Sequence, residues 1–294
     1  MTPEFHVFLP QMRMTLDALV ERARSAEAAG FRGIALMDHL TPPAALDQPM
    51  YEAMVTATWL AARTERLTLS HLVLCDSFRH PALLARQAVS IDHASGGRYE
   101  LGIGSGSVPA ELETFGVGDL DAKARVRRLG ETLEVLRALW SGQPVDYHGE
   151  FHHISAGMQR PVPLGKIPIV VGGIGPRTMK LVAAHADWWN VPTYGSDRLE
   201  AMRPHAGNAR TSTQHLVTYI ASESVRRDVS ETAIRRFGAM TPGPVIGDAS
   251  QLVDHFGALN ERGVERFYTW FTDFASPDTL AAFGENVIAV LGRR

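Results

Sequence analysis

The chain has 294 residues, of which 45% are hydrophobic, enough for one large α/β domain or for two ordinary domains. Its 29 basic and 32 acidic residues give a formal net charge of -3, which argues against the strongly basic surface that nucleic-acid binding requires. The single cysteine, Cys75, excludes an internal disulfide, and no Cys/His spacing is typical of a structural zinc site. No leader segment and no run of about 18 apolar residues is found. We therefore expect a cytoplasmic protein that binds no metal, no nucleic acid and no membrane.

Short apolar segments alternate with amphipathic segments along the whole chain. Eight strands are predicted, at Phe5–Pro10, Gly33–Asp38, Leu67–Leu74, Tyr99–Ile103, Ile167–Gly173, Trp188–Val191, Leu216–Ser222 and Arg266–Phe271. Strands that are apolar on both faces and separated by helices are typical of a parallel sheet covered by helices. Eight such units predict a single (β/α)8 TIM barrel over residues 1–294. A doubly wound open sheet is the alternative, although the turn after the first strand, Pro10–Arg13, lacks its usual glycines.

Two long excursions interrupt this regular spacing, one after strand 4 and one after strand 7. The first runs from Gln143 to Lys166, and its segment Tyr147–His152 resembles a small hairpin. The second runs from Glu223 to Asp248 and carries four arginines. Insertions of this kind are typical of lids or contact surfaces rather than of new domains.

Glycines cluster at the predicted carboxyl ends of strands 4 and 5. Gly102, Gly104 and Gly106 follow a helix that begins at Pro81, and they remove side chains where a flat or anionic ligand could approach the backbone. Gly172 to Gly175 precedes another helix, whose free N–H groups and dipole would favour a phosphate; a plain tight turn is the alternative. Polar groups end other strands, and among them the pair Asp38-His39 is able to exchange a proton near neutral pH.

Several of these segments resemble the luciferase-like monooxygenase superfamily, and most of all its branch that uses the deazaflavin coenzyme F420. The matching motifs are Arg79-His80-Pro81, Gly97-Arg98, Leu101–Gly106, Glu111 with Phe115-Gly116, and Ala183–Asn190. The resemblance implies an oxidoreductase that moves hydride between F420 and a small organic substrate, in a homodimer. It also implies a non-prolyl cis peptide near the end of the third strand, around Val73-Leu74.

The resemblance, together with the strand ends, gives the predicted site residues. His39 and Asp38 are the predicted catalytic residues, with His39 as proton donor or acceptor. The predicted cofactor-binding residues are Val73, Leu74, Gly104, Ser105, Gly106, Ser107, Gly172, Gly173, Ile174, Gly175, Arg177 and Thr193. Cys75 is expected to be a packing residue rather than a nucleophile.

Two alternatives to the F420 enzyme stay open at the level of sequence. An FMN-dependent luciferase-like monooxygenase that uses oxygen would carry the same glycine signatures. A non-catalytic flavin-binding relative is the other alternative, because Ser107 stands where many relatives have tryptophan or glutamate. Glu111 falls near a predicted helix start, where we expect a surface carboxylate stabilised by the helix dipole.

Overall fold

The computed structural model describes residues 2–43, 45–118, 120–240 and 242–293. The strands are β1 (Glu4–Phe8), β2 (Gly33–Leu36), β3 (Thr68–His71), β4 (Leu74–Cys75), β5 (Leu101–Gly104), β6 (Val145–His148), β7 (His153–Gly157), β8 (Ile169–Gly172), β9 (Trp188–Val191), β10 (Arg210–Tyr219), β11 (Val245–Gly247) and β12 (Arg266–Phe271). The α-helices are α1 (Leu16–Ala28), α2 (Ala53–Ala61), α3 (Pro81–Ser95), α4 (Pro109–Thr114), α5 (Ala122–Trp140), α6 (Pro176–His185), α7 (Leu199–Met202), α8 (Arg226–Phe237), α9 (Ala249–Glu261), α10 (Pro277–Phe283) and α11 (Ala289–Leu291).

The main sheet is parallel and curls into a barrel. Its strands follow the order β3-β2-β1-β12-β10-β9-β8-β5-β4, so β3 and β4 stand at the two ends of the path. These two short strands are halves of the predicted third strand, and Leu69 of β3 pairs in parallel with Tyr99, just before β5. The amide of Leu69 donates to the Arg98 carbonyl at 3.0 Å, which closes the ring. The predicted TIM-barrel fold is confirmed.

The seventh strand differs from its prediction. It begins at Arg210 rather than Leu216 and ends at Tyr219 rather than Ser222. Its first half is polar, and Ser212 and Thr213 are buried there. The hydroxyl of Ser212 donates to the Trp189 carbonyl at 3.1 Å, so burial of this polar group is compensated. A prediction that depends on apolar residues does not find such a polar segment. It also does not include β11, a three-residue strand paired with the end of β10.

The two excursions contain small elements of their own. The hairpin expected at Tyr147–His152 is present as the antiparallel pair β6 and β7. Between β10 and α9 lie α8 and β11. On α8, Arg226 is paired with Glu223 and Asp248, and Arg227 with Glu231.

The helices pack onto the barrel through an aromatic core. Phe5 of β1 contacts Phe267 of β12, Phe256 of α9 and Phe283 of α10. Phe256 also contacts Phe267 and Phe283, and all these ring centroids are between 4.8 and 6.1 Å apart. Helix ends follow their sequence signals: Thr15 accepts a hydrogen bond from Ala18 N, and Gly96 ends α3 in the left-handed region at φ 65°. In the described part of the chain, no helix combines the length and apolar character needed to cross a membrane.

Candidate active site

A cavity of about 330 Å³, called the mouth cavity here, opens at the carboxyl ends of the barrel strands. It is bordered by the ends of β2, β4, β5, β8 and β9 and by Gln214 of β10. The predicted site residues that line it are Asp38, His39, Val73, Leu74, Gly104, Ser105, Gly106, Ser107, Gly172, Gly173, Ile174 and Gly175. Residues more than 130 positions apart in the chain, such as Asp38 and Gly173, therefore meet in one hollow.

Arg177 and Thr193 are the two predicted residues outside the lining. Arg177 is exposed in the first turn of α6, where the next residue, Thr178, turns into the cavity instead. Thr193 lies between Pro192 and Tyr194, which both line the cavity. Neighbouring residues in a helix or loop point their side chains in different directions. The sequence motifs around Arg177 and Thr193 do not determine which of the neighbouring side chains faces the cavity.

The back of the mouth cavity is formed by Val73, whose side chain lies between two strand-ending glycines. A Cβ atom on Gly104 would come within 2.8 Å of Val73 Cγ2, and one on Gly172 within 3.3 Å of Val73 Cγ1. The peptide bond between Leu72 and Val73 is cis. A Cβ atom on Gly102 would overlap the carbonyl oxygen of His71. Gly102 and Gly104 are thus required by the close approach of neighbouring backbone and Val73, a packing reason that our ligand interpretation overlooked.

His39 is held in the cavity wall by a carboxylate. Its Nδ1 lies 2.8 Å from Glu111 Oε2, and the other Glu111 oxygen accepts from the amides of Leu40 at 2.6 Å and Thr41 at 3.0 Å. Glu111 is buried, so the expected surface carboxylate is wrong. Helix α4 turns this residue toward the loop after β2, a tertiary contact that a local helix-start argument does not contain. With Nδ1 taken by Glu111, Nε2 is the nitrogen left for a ligand.

Asp38 is fully engaged by neighbouring groups. Its two oxygens accept from Arg79 Nη1 at 2.6 Å and Nη2 at 2.8 Å, and Oδ2 also accepts from the Cys75 amide at 2.8 Å. Arg79 continues to Glu52 at 2.6 Å. Burial acts to lower the pKa of Arg79, but Asp38 and Glu52 outweigh it and raise that pKa above its ordinary value. Asp38 follows β2 and binds the amide of Cys75 in β4, so its carboxylate holds the ends of these two strands in place.

In the same wall, Cys75 is a buried lining residue of the cavity, and Asp76, the next residue, is also buried. Arg128 Nη1 donates to Asp76 Oδ2 at 2.5 Å and to the Asp76 carbonyl at 2.7 Å. Burial raises the pKa of Asp76 to about 6, against the opposing effect of Arg128. Burial also raises the pKa of the Cys75 thiol to about 11, in keeping with the expected packing role.

One rim of the cavity is the beginning of helix α6. Gly175 is its N-cap and provides no side-chain cap, Pro176 occupies the first turn, and Gly173 adopts φ 132°. Backbone N–H groups at such a helix start favour an anion such as a phosphate. In the described residues, no three His, Cys, Asp or Glu side chains are grouped as a metal site.

Sequence reasoning missed Gln214 as a lining residue because the seventh strand was predicted to begin after it. Glu111 was part of the family resemblance, but its contact with His39 carries no local sequence signal. Tyr194 follows the predicted Thr193 and was not singled out. All three are lining residues of the mouth cavity.

The fold and the site together define a TIM-barrel protein with a glycine-rimmed cavity and a histidine–carboxylate pair at its carboxyl end. Residues 2–237 match the family model described as Luciferase-like monooxygenase, and the chain belongs to that family. The resemblance seen in the sequence motifs is confirmed.

Among similar curated proteins is an F420-dependent glucose-6-phosphate dehydrogenase of Mycolicibacterium fortuitum. It is 34% identical over 174 residues, which are 58% of this chain and 51% of that protein. An uncharacterized protein of Mycobacterium bovis is 33% identical over 57% of this chain and 62% of its own length. The chain thus spans between about half and under two thirds of the length of these curated relatives.

Two solved structures share the whole fold at low identity. One is described as an F420-dependent secondary alcohol dehydrogenase in complex with an F420-acetone adduct, with TM-score 0.84, 18% identity and 99% of both chains covered. The other is a riboflavin lyase with modified FMN and riboflavin, with TM-score 0.84, 16% identity and coverage of 100% of this chain and 92% of that one. At these identities the likeness shows the fold alone.

Proposed function

We propose that this protein is an oxidoreductase that transfers hydride between coenzyme F420 and a small organic substrate. The observation that carries the proposal is the His39–Glu111 pair, 2.8 Å apart, in the wall of the cavity rimmed by Gly104–Ser107 and Gly172–Gly175. Relatives and structural neighbours named for F420 support the choice of cofactor. Proton exchange beside a redox cofactor is the chemistry that this pair is suited to.

We infer that the cavity would hold the tricyclic ring and phosphate arm of a deazaflavin. Val73, held between Gly104 and Gly172, offers an apolar surface for one face of a flat ring. The uncapped start of α6 would hold the phosphate, with Arg177 adding a charge-assisted contact. When bound, F420 supplies or accepts hydride at its C5 carbon. The protein's share is to orient both molecules and to exclude water.

His39 has the geometry of a proton carrier for the reacting oxygen. Glu111 accepts a hydrogen bond from His39 Nδ1. The other ring nitrogen, Nε2, is therefore left to take a proton from an alcohol or to return one to a carbonyl. Asp38 is the second predicted catalytic residue, and we propose a positioning role for it because Arg79 occupies both of its oxygens.

Titration of the purified chain with F420 and, separately, with FMN tests this function. We expect micromolar or tighter binding of F420, read from its fluorescence, and at least about tenfold weaker binding of FMN. Loss of F420 absorbance on addition of substrate would then report hydride transfer. Binding of neither cofactor would exclude the proposal.

An FMN-dependent monooxygenase is the second candidate, favoured by the FMN-containing neighbour of the same fold. Tighter binding of FMN than of F420, together with oxygen consumption, would favour it. The third possibility, a binding protein without turnover, is motivated by Ser107 in the cavity lining. Binding of F420 without any turnover across a broad substrate screen would favour that one.

We also propose that the chain is one cooperative domain, that it is a homodimer and that it functions in the cytoplasm. Val55 of α2 and Leu83 of α3 are 70% and 54% exposed, and such apolar groups are often covered in an assembly. A single free thiol, Cys75, is compatible with a reducing compartment. Light scattering, calorimetry and cell fractionation test the three statements in turn.

A further inference from the structure

The charge of the mouth cavity is unusual for a site that would bind an anionic substrate. Two carboxylates, Asp38 and Glu111, belong to its lining, and among the described lining residues none is lysine or arginine. Arg79 compensates Asp38, but it is shared with Glu52. A phosphate or carboxylate beside His39 would lose its hydration close to Glu111 and gain no cation in exchange.

The guanidinium groups behind the wall are already engaged. Arg125 donates from Nε to the Ser105 carbonyl at 3.2 Å and from Nη1 to the Leu120 carbonyl at 2.8 Å. Arg128 donates to Asp76 and to the Arg79 carbonyl. Release of either cation toward a ligand would leave carbonyl or carboxylate oxygens without their donors, which is costly in a buried wall.

Beside the cavity lies a packed apolar cluster rich in methionine. This methionine wall consists of Phe8, Met12, Met37, Met50, Leu72 and Trp270, which all belong to one cluster. Of these six residues, Leu72 lines the mouth cavity, so the wall meets the cavity there. Phe8 and Trp270 meet edge to face with ring centroids 5.3 Å apart. Methionine side chains adapt their shape to varied apolar ligands.

We infer that the substrate is an uncharged, largely apolar alcohol or carbonyl compound and not a sugar phosphate. The inference rests on the proposed function, since it names the substrate class of the same site. The apolar part of the substrate would contact the methionine wall, and its oxygen would face His39. In the oxidative direction, His39 Nε2 would take the proton of the hydroxyl group, and oxidised F420, when bound, would supply the hydride acceptor, so that the alcohol becomes a carbonyl. The relatives named for glucose 6-phosphate would then differ from this chain in substrate class.

Two probes of equal size separate charge from shape. Cyclohexyl methyl ketone and cyclohexanecarboxylate have nearly the same shape, but the ketone has a methyl group where the carboxylate has a charged oxygen. Glucose 6-phosphate is a third compound, which tests the sugar phosphate for which the relatives are named. With the F420-loaded protein, we expect the ketone to bind at least about tenfold more tightly than either anion, measured by thermal shift and by change of F420 fluorescence. Equal or tighter binding of an anion, or no binding of the ketone, would overturn the inference. Failure of the protein to bind F420 at all would instead overturn the proposed function.

A pair of isosteric variants tests the methionine wall itself. Met50→Gln places an amide in the wall, and Met158→Gln makes the same change at a methionine that is 45% exposed elsewhere on the molecule. Met50→Gln should weaken ketone binding about five- to tenfold and leave F420 affinity within twofold, while Met158→Gln changes neither. Unchanged ketone affinity in Met50→Gln, with F420 still bound, would contradict the proposed contact surface.

Discussion

Both ends of this barrel carry charged side chains, but the two ends use them differently. At the amino end, Arg266 donates to both oxygens of Glu100 at 2.6 and 3.1 Å, to Glu4 at 2.9 Å and to the Tyr268 hydroxyl at 3.2 Å. Its guanidinium carbon also lies 3.8 Å from the ring centroid of Trp188. Burial acts to lower the pKa of Arg266, and Tyr268, Glu100 and Glu4 raise it above its ordinary value instead.

At the carboxyl end, charged groups pair only in part and leave polar atoms for a ligand. His39 keeps one ring nitrogen available, and α6 begins without a side-chain cap. The amino end therefore serves the stability of the fold, and the carboxyl end is free to bind and react, as expected for this architecture. The comparison teaches that pairing of charges, rather than their number, distinguishes the two roles.

Removal of His39 should give the largest change in activity. In His39→Ala we expect kcat to fall by about 10²- to 10⁴-fold, because the proton carrier is lost, with F420 affinity and Tm nearly unchanged. Steady-state kinetics and fluorescence titration measure these quantities, and His153→Ala, at an exposed histidine, is the control. Turnover within threefold of the unmodified enzyme would remove His39 from the mechanism.

Removal of Arg266 should affect stability rather than binding. Arg266→Met leaves Glu100 buried without its partner, so we expect a loss of about 3–5 kcal/mol in the free energy of unfolding. Arg210→Met removes an arginine whose side chain is 44% exposed, and should cost about 1 kcal/mol or less. Urea unfolding compares the two variants. A changed F420 affinity in folded Arg266→Met protein would mean that the two ends are coupled.

Acid should destabilise the fold through buried histidines near the barrel interior. Burial lowers the pKa of His6 and of His71 to about 4, so these rings stay neutral in the folded state while the unfolded chain takes up protons below pH 6.5. The contribution of these two neutral rings to the free energy of unfolding is therefore fully present above pH 6.5 and is lost as the pH falls toward 4. From pH 7 to 5 each histidine should reduce the free energy of unfolding by about 2 kcal/mol. Asp76, with its raised pKa, opposes this trend in part.

The variant His6→Asn isolates one of these contributions. Urea titrations at pH 7 and at pH 5 give the decrease in the free energy of unfolding between these two pH values. In His6→Asn this decrease should be about 2 kcal/mol smaller than in the unmodified protein. His153→Asn, at an exposed position, is the matched control and should leave the difference unchanged. An equal pH dependence in both variants would argue against a buried neutral His6.

The smallest effect is expected at the start of α6. Arg177 is exposed, so Arg177→Ala should weaken F420 binding only about three- to tenfold, close to 1 kcal/mol, and reduce its dependence on salt. Thr193→Ala should change affinity by less than twofold, because Thr193 lies outside the cavity lining. Fluorescence titration at low and high salt measures both. A larger loss in Thr193→Ala than in Arg177→Ala would reverse this assignment.

Much of the barrel could be predicted because its helices and apolar strands repeat a local pattern. Segments with buried polar residues escaped that pattern. In the first half of β10, Ser212 donates to a carbonyl of the neighbouring strand β9 and the Thr213 hydroxyl contacts His215 of its own strand, so buried polar groups stand where the pattern requires apolar ones. The strand-end rule brought Asp38, Gly104 and Gly173 to one cavity correctly. It did not reveal that Glu111 reaches His39, since that contact joins helix α4 to the loop after β2, 72 positions away in the chain.

The buried state of Cys75 has a practical consequence. Its thiol is the single one in the sequence, and burial raises its pKa to about 11. Maleimides and other thiol reagents should therefore leave the unmodified protein nearly unlabelled at neutral pH. A cysteine introduced at an exposed position such as Arg13 would then accept a fluorescent or spin label selectively, without prior removal of native thiols.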